Sequence, residues 1–116
     1  MLRHVVAKRR YDLQTPAGQR QRHVTIEFGR PIKEHIDYRC FYRIEGFGGQ
    51  LVRYAAGIDA VQALLLAMAG AASYVYTSDE FKAGLISWNG DSNLGLPLIE
   101  LDGDDRVPNP MLKLIV

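Results

Sequence analysis

Polar and apolar residues alternate along the first half of the chain and then give way to one long apolar run. In His4–Leu13, the residues Val5, Ala7, Arg9, Tyr11 and Leu13 fall on one side of an extended chain, and Val6, Lys8, Arg10 and Asp12 on the other. Arg20–Phe28 alternates more cleanly, with Val24, Ile26 and Phe28 against His23, Thr25 and Glu27. Tyr38–Glu45 sets Tyr38, Cys40, Tyr42 and Ile44 opposite Arg39, Phe41, Arg43 and Glu45, and Gln50–Ala56 reads as a fourth strand. A period of two marks strands with one face on a core. The punctuation agrees. Thr15–Gly18 (TPAG) carries Pro and Gly where a type I turn favours them. Gly46–Gly49 (GFGG) suits a hairpin, because glycine tolerates the positive φ such turns need. Gly29–Asp37 reads as a polar loop. The pattern predicts a four-stranded antiparallel meander with one charged face and one apolar face in need of a cover.

The only long element available as that cover begins at Gly57, in GIDAVQALLLAMAGAA. Asp59 stands where an N-cap belongs, and Gln62 three residues later completes a capping-box pattern. End-capping therefore accounts for both polar side chains. On a 3.6-residue wheel Val61, Leu64, Leu65, Met68, Ala72 and Val75 form a broad apolar stripe. Ala60, Ala63, Ala67 and Gly70 form a second stripe, small enough for another backbone to approach closely. A surface helix should also carry a polar face, yet Leu66, Ala69 and Ser73 occupy it. The helix is thus expected to be buried on more than one side, by the sheet and by either a second subunit or the C-terminal segment. Ala63, Ala67, Leu66 and Ala69 are the residues expected at a homodimer interface. A membrane span needs about 20 apolar residues, and Asp59 and Gln62 interrupt this run near its start.

In the last third, Thr77–Gly84 (TSDEFKAG) resembles a short capped helical turn, Leu85–Trp88 a short strand, and Asn89–Pro97 a loop. The apolar end MLKLIV is expected to pack as an edge strand or on a neighbour. Asn89, Asp91, Asn93 and Glu100 occupy positions one, three, five and twelve of an EF-hand-like loop. However, Leu94 stands where that loop needs glycine, and Pro97 falls at the ninth place. Asp102, Asp104 and Asp105 read as solvated loop charge. His4, His23 and His35 lack metal-ligand spacing.

The chain has 116 residues and a formal net charge of +1, which conceals an asymmetry. Residues 1–54 hold eleven Lys/Arg against five acids, a net of +6, and residues 55–116 hold three against eight, a net of −5. Opposite charges on the two halves can meet a polyanion or each other in an oligomer. Arg39, Arg43 and Arg53, with Phe41 between the first two, could hold a nucleic-acid backbone and stack a base. A sequence pI near 7.9 argues against that partner and for a solvated face paired with Glu27, Glu45 and Asp12. The single cysteine, Cys40, fits a reducing compartment and reads as a small buried hydrophobe. The N-terminus lacks the apolar run of a signal peptide. No G-x-S-x-G, phosphate loop or dinucleotide glycine pattern occurs.

The segments GIDAVQALLLAM and SWNGDSNLGLP, in that order, resemble a small bacterial domain family of unknown function. Its pattern is strands first, a G-x-D-x-x-Q-A-L helix start, then a tryptophan and an L-G-x-P ending. The resemblance implies no activity, cofactor or catalytic residue. The expectation is therefore a single α+β domain over residues 1–116, cytoplasmic and bacterial, with neither metal nor cofactor. The leading function is a non-catalytic binding or interaction module that self-associates as a homodimer or meets another protein. The alternatives are an enzyme or small-ligand protein, with a pocket between helix and sheet using Tyr38, Tyr42, Asp59 or Trp88, and a nucleic-acid binder using Arg39, Phe41, Arg43 and Arg53.

Overall fold

A computed structural model describes residues 2, 4–100 and 113–115. The elements in chain order are β1 (Val5–Leu13), β2 (Arg22–Gly29), β3 (Ile32–Glu34), β4 (Asp37–Glu45), β5 (Gln50–Gly57), α1 (Ala60–Tyr76), α2 (Asp79–Lys82), β6 (Ile86–Ser87), β7 (Leu98–Glu100) and β8 (Lys113–Ile115). The first six strands form one antiparallel sheet. Strands β1, β2, β4 and β5 are neighbours in the order the alternation predicts, and two short strands are added to them.

One addition, β3, lies in the segment expected to be a polar loop. Both β2 and β3 pair with the same side of β4, β2 at Tyr42–Glu45 and β3 at Asp37–Arg39. They are one strand path interrupted at Pro31, whose ring nitrogen has no hydrogen to donate to the ladder. The other addition, β6, pairs with Asp12 and Leu13 at the end of β1. Beyond it, Trp88 and Asp91 exchange both backbone hydrogen bonds, 2.8 and 2.9 Å, across Asn89 and Gly90. Both turn residues have positive φ, 51° and 81°. That is the Asn-Gly hairpin chemistry, inside a segment whose composition alone says loop.

Tyr11, Val24, Ile26, Cys40 and Ile44 project from one face of the sheet and are fully or almost fully buried. Each buried aliphatic side chain of this size contributes about 1.5–3 kcal/mol. Helix α1 covers that face over β4 and β5. Its start is fixed as the capping pattern predicts: Asp59 Oδ1 accepts from the Gln62 N–H at 2.8 Å, and Gln62 Oε1 accepts from the Ile58 N–H at 2.7 Å. The strand enters the helix through Gly57, where a Cβ would stand 2.4 Å from the Ala63 nitrogen.

The helix turns a different side to the sheet than the wheel suggests. Ala63, Ala67 and Ala71 are fully buried in the core, while Val61 is 66% exposed. Gly70 lies so close to Tyr42 that a Cβ there would be 2.7 Å from its hydroxyl. The sheet supplies the large side chains, so small ones fill what remains and the helix can approach closely. The second covered flank belongs to the C-terminal segment. Leu94 and Leu96 are buried in the same core as Ala72 and Val75, and the Leu94 N–H donates to the Tyr76 hydroxyl at 2.9 Å. The end of the chain contributes Lys113–Ile115 as β8, paired with β7. The cluster Asp102, Asp104 and Asp105 lies outside the described residues. No described helix is long and apolar enough to cross a membrane.

Candidate functional site

The four residues expected around a pocket are not brought together. Asp59 spends its carboxylate on the helix cap. Tyr38 is half-buried on β4 opposite Gly57, at the end of the sheet where α1 begins. Tyr42 is 6% exposed, its ring tilted against Phe28 and its hydroxyl over Gly70. Trp88 belongs to the opposite edge of the sheet, just after β6, and packs against the same core. The Arg9 guanidinium stacks on it 4.0 Å from the ring centroid and donates from Nη1 to the carbonyls of Leu94, 2.8 Å, and Gly95, 3.2 Å. The Tyr11 hydroxyl donates to the same Leu94 carbonyl at 2.8 Å. Trp88 is therefore part of a clamp that fastens the last described loop to β1. Space between helix and sheet is filled by the alanines of α1.

Burial has the expected electrostatic consequence for the hydroxyl and thiol groups inside. It pushes the Tyr11 phenol up to about 12 against the opposing pull of Arg9, and the Cys40 thiol up to about 11. It also raises Tyr42, with Arg53 pulling the other way. All three are neutral at physiological pH, which suits packing and hydrogen bonding rather than nucleophilic attack. Among the described residues no group of three His, Cys, Asp or Glu is placed to hold a metal ion. In the EF-hand-like stretch, Asp91 Oδ1 accepts from the Asn93 N–H and Asn93 Oδ1 from the Gly95 N–H, so these oxygens serve their own loop.

The basic face needs correcting. Pairing sets Arg39, Phe41, Arg43 and Glu45 against Ala56, Tyr54, Val52 and Gln50, all on the side away from α1. Arg53 is paired with Tyr42 and so belongs to the helix side, 5.6 Å over the Tyr74 ring. It cannot join Arg39 and Arg43 in one contact surface. Those two are also neutralised where they stand. Arg43 meets Glu27 through Nη2 at 2.6 Å and Nε at 3.0 Å and approaches Glu45 at 3.5 Å, while Arg39 reaches Glu34 at 3.1 Å. On this face the two arginines are matched by Glu27, Glu34 and Glu45, so the positive excess of the first half lies elsewhere.

The helix residues expected at an interface also divide. Ala63 and Ala67 are fully buried against the chain's own sheet, so the close approach their size permits is already used within the chain. Ala69 is 8% exposed, and Leu66 is half-buried.

Most of the large exposed apolar side chains lie along or near one end of the sheet's β5 border. Seven large hydrophobic residues are exposed among those described, and five lie on or beside β5. Val52 (46%) and Tyr54 (50%) stand on its open face. Ile58 (82%) and Val61 (66%) follow its end, and Ile36 (94%) tips the neighbouring β3–β4 turn. Tyr54 carries Phe41 at a centroid distance of 5.3 Å and Arg39 4.9 Å above its ring. Among the described residues β5 pairs with β4 alone, which makes it an edge of the sheet. Alternation revealed Phe41 as outward-facing; the concentration around β5 needed the pairing to be seen.

No curated protein and no solved structure matches the chain. A family model does match, over residues 7–98, a span running from β1 through the sheet, α1 and the Arg9–Trp88 clamp to the first residue of β7. The chain belongs to the family described as a domain of unknown function, DUF6968.

Proposed function

We propose that this domain is a non-catalytic interaction module that associates with itself. The observation that carries this reading is the gathering of Val52, Tyr54, Ile58, Val61 and Ile36 on and around one strand. Isolated exposed hydrophobes are ordinary, whereas Val52 and Tyr54 on the open face of an unpaired edge strand, with Ile58 and Val61 beyond its end, mark a rim that can meet another apolar surface. The polar groups that could compete with this reading have other employment: Asp59 caps, Arg9 and Tyr11 clamp, and Arg39 and Arg43 are ion-paired. The reducing cytoplasm of a bacterial cell is the compartment that suits a lone buried Cys40.

Sedimentation equilibrium of the full chain across a micromolar series tests the reading. The apparent mass should climb from 13.0 kDa towards twice that value. It should change little with added salt, because the apolar surface involved is not screened as charges are. A mass that stays at the monomer value throughout would overturn self-association.

A further inference from the structure

We infer that the β5 edge is the self-association surface, and that two copies join β5 to β5, antiparallel, about a two-fold axis at Tyr54. This rests on the reading of the domain as a self-associating module and names the surface and register.

The first ground is how differently the sheet's edges are finished. An unpaired strand presents backbone N–H and C=O groups to any other strand, and proteins blunt such edges with charge, bulges or a covering segment. On the β1 side all three are present. The register slips between Val5 and Ala7, Lys8, Arg9 and Arg10 follow in succession, and β6 covers Asp12 and Leu13. On the β5 side, Gln50–Gly57 pairs with β4 without a slip, holds no proline and has one charged residue, Arg53. Its open-face side chains are Val52, Tyr54 and Ala56 between Gln50 and the turn into the helix.

The second ground is that the strand complements itself. Antiparallel partners point to the same face, so a two-fold axis must pass through a residue position rather than between two. Axes at Arg53 and Tyr54 allow the longest overlaps. The first would set guanidinium against guanidinium, which opposes pairing. The second sets Arg53 against the partner's Ala55, Val52 against the partner's Ala56, and Tyr54 against its own copy. The aromatic pair Phe41–Tyr54 then continues into its two-fold copy as a row of four rings across the joint. Ile58 and Val61 come beside the partner's Gly46–Gly49 turn. Since Arg39 and Arg43 are already matched by Glu34, Glu27 and Glu45, no net charge of one copy faces the same charge of the other along this face.

The third ground is size. Eight strand residues give an edge about 27 Å long, and a sheet with one helix layer is about 20 Å deep, so roughly 500 Å² per copy is covered. A joint of that size lies at the lower bound for a specific interface and predicts a reversible dimer that depends on concentration.

The test uses the full chain in sedimentation and in cross-linking. Tyr54→Lys brings two ammonium groups together at the axis and should weaken dimerisation at least tenfold, with circular dichroism unchanged because the side chain is half-exposed. Lys8→Glu, on the other edge, should leave dimerisation within twofold of wild type. Tyr54→Cys should give a covalent dimer under mild oxidation, and Val52→Cys far less, because only position 54 meets itself; the native Cys40 is buried and does not compete. A wild-type chain that remains monomeric overturns self-association and this surface together. A dimer unaffected by Tyr54→Lys, with Tyr54→Cys cross-linking no faster than Val52→Cys, overturns the β5 register and leaves self-association standing.

Discussion

The two edges of the sheet are built from similar lengths of strand and finished in opposite ways. Strand β1 carries Lys8, Arg9 and Arg10 in succession, and Arg9 is held by Trp88 and by two carbonyls of the Leu94–Gly95 loop. Strand β5 ends the other side with Val52 and Tyr54 half-exposed. On the first edge, Arg9 and Tyr11 fasten a distant loop of the chain's own fold; on the second, Val52, Tyr54 and Ala56 leave much of their surface open beside an unpaired backbone. Substitutions at the two edges should therefore register in different measurements, stability for β1 and association for β5.

The sharpest break is at the clamp. Gly95 has φ +65°, and a Cβ there would come within 2.3 Å of the Trp88 ring and 2.8 Å of Arg9 Nη1. Gly95→Ala should cost about 3 kcal/mol by combining left-handed strain with overpacking, read as a lower denaturation midpoint at a protein concentration too low for association. Arg9→Ala loses the ring contact and both carbonyl hydrogen bonds, about 2 kcal/mol in the same assay.

Tyr11→Phe should cost about 1 kcal/mol, since the Leu94 carbonyl keeps Arg9 as a donor. Its signature is alkaline. Tyr11 and Cys40 have folded pKa values raised from 10.0 to about 12 and from 9.0 to about 11. The unfolded chain therefore releases these protons first, and stability falls as pH rises. The contribution is complete below pH 9 and is lost through pH 11 to 12. Tyr11→Phe should flatten the upper part of that fall in a pH series of denaturation curves. The smallest expected change belongs to the open edge. Tyr54→Lys gives up the Phe41 pair and the Arg39 contact at a half-exposed site and should lower monomer stability by no more than about 1 kcal/mol, and a larger loss would show that the two edges are not so different after all.

Much of this could be read from residues alone where the rule is local. The Asp59–Gln62 box depends on a spacing of three and forms as written. The faces of β4 follow from alternation, and Cys40, Tyr42 and Ile44 are buried together. Rules that depend on a partner were less legible. Arg53 belongs to the helix side because the hairpin sets it opposite Tyr42, a fact of register that no single strand contains. The wheel ranks Val61 and Leu65 above Ala63 and Ala67 for the core, yet the volume already supplied by the sheet selects the alanines. Strand β3 is hidden by Pro31 and by charged neighbours, and exists because β4 has length to spare beyond β2. Of the candidate site, the outward position of Phe41 was accessible in advance, while the residues expected at an interface lay on α1; the free edge became visible only once the other described strands had found their neighbours.

Cys40 gives the molecule a use beyond packing. It is the chain's single thiol, with no exposed surface, on the strand between β2 and β5, and its Sγ–H donates to the Gly29 carbonyl at 3.4 Å. A reagent can reach it only when strands part, and then reacts chiefly with the thiolate that burial had suppressed. The rate of alkylation is thus a clock for sheet opening that needs no introduced label. If two copies share a continuous sheet, that clock should slow as the protein is concentrated.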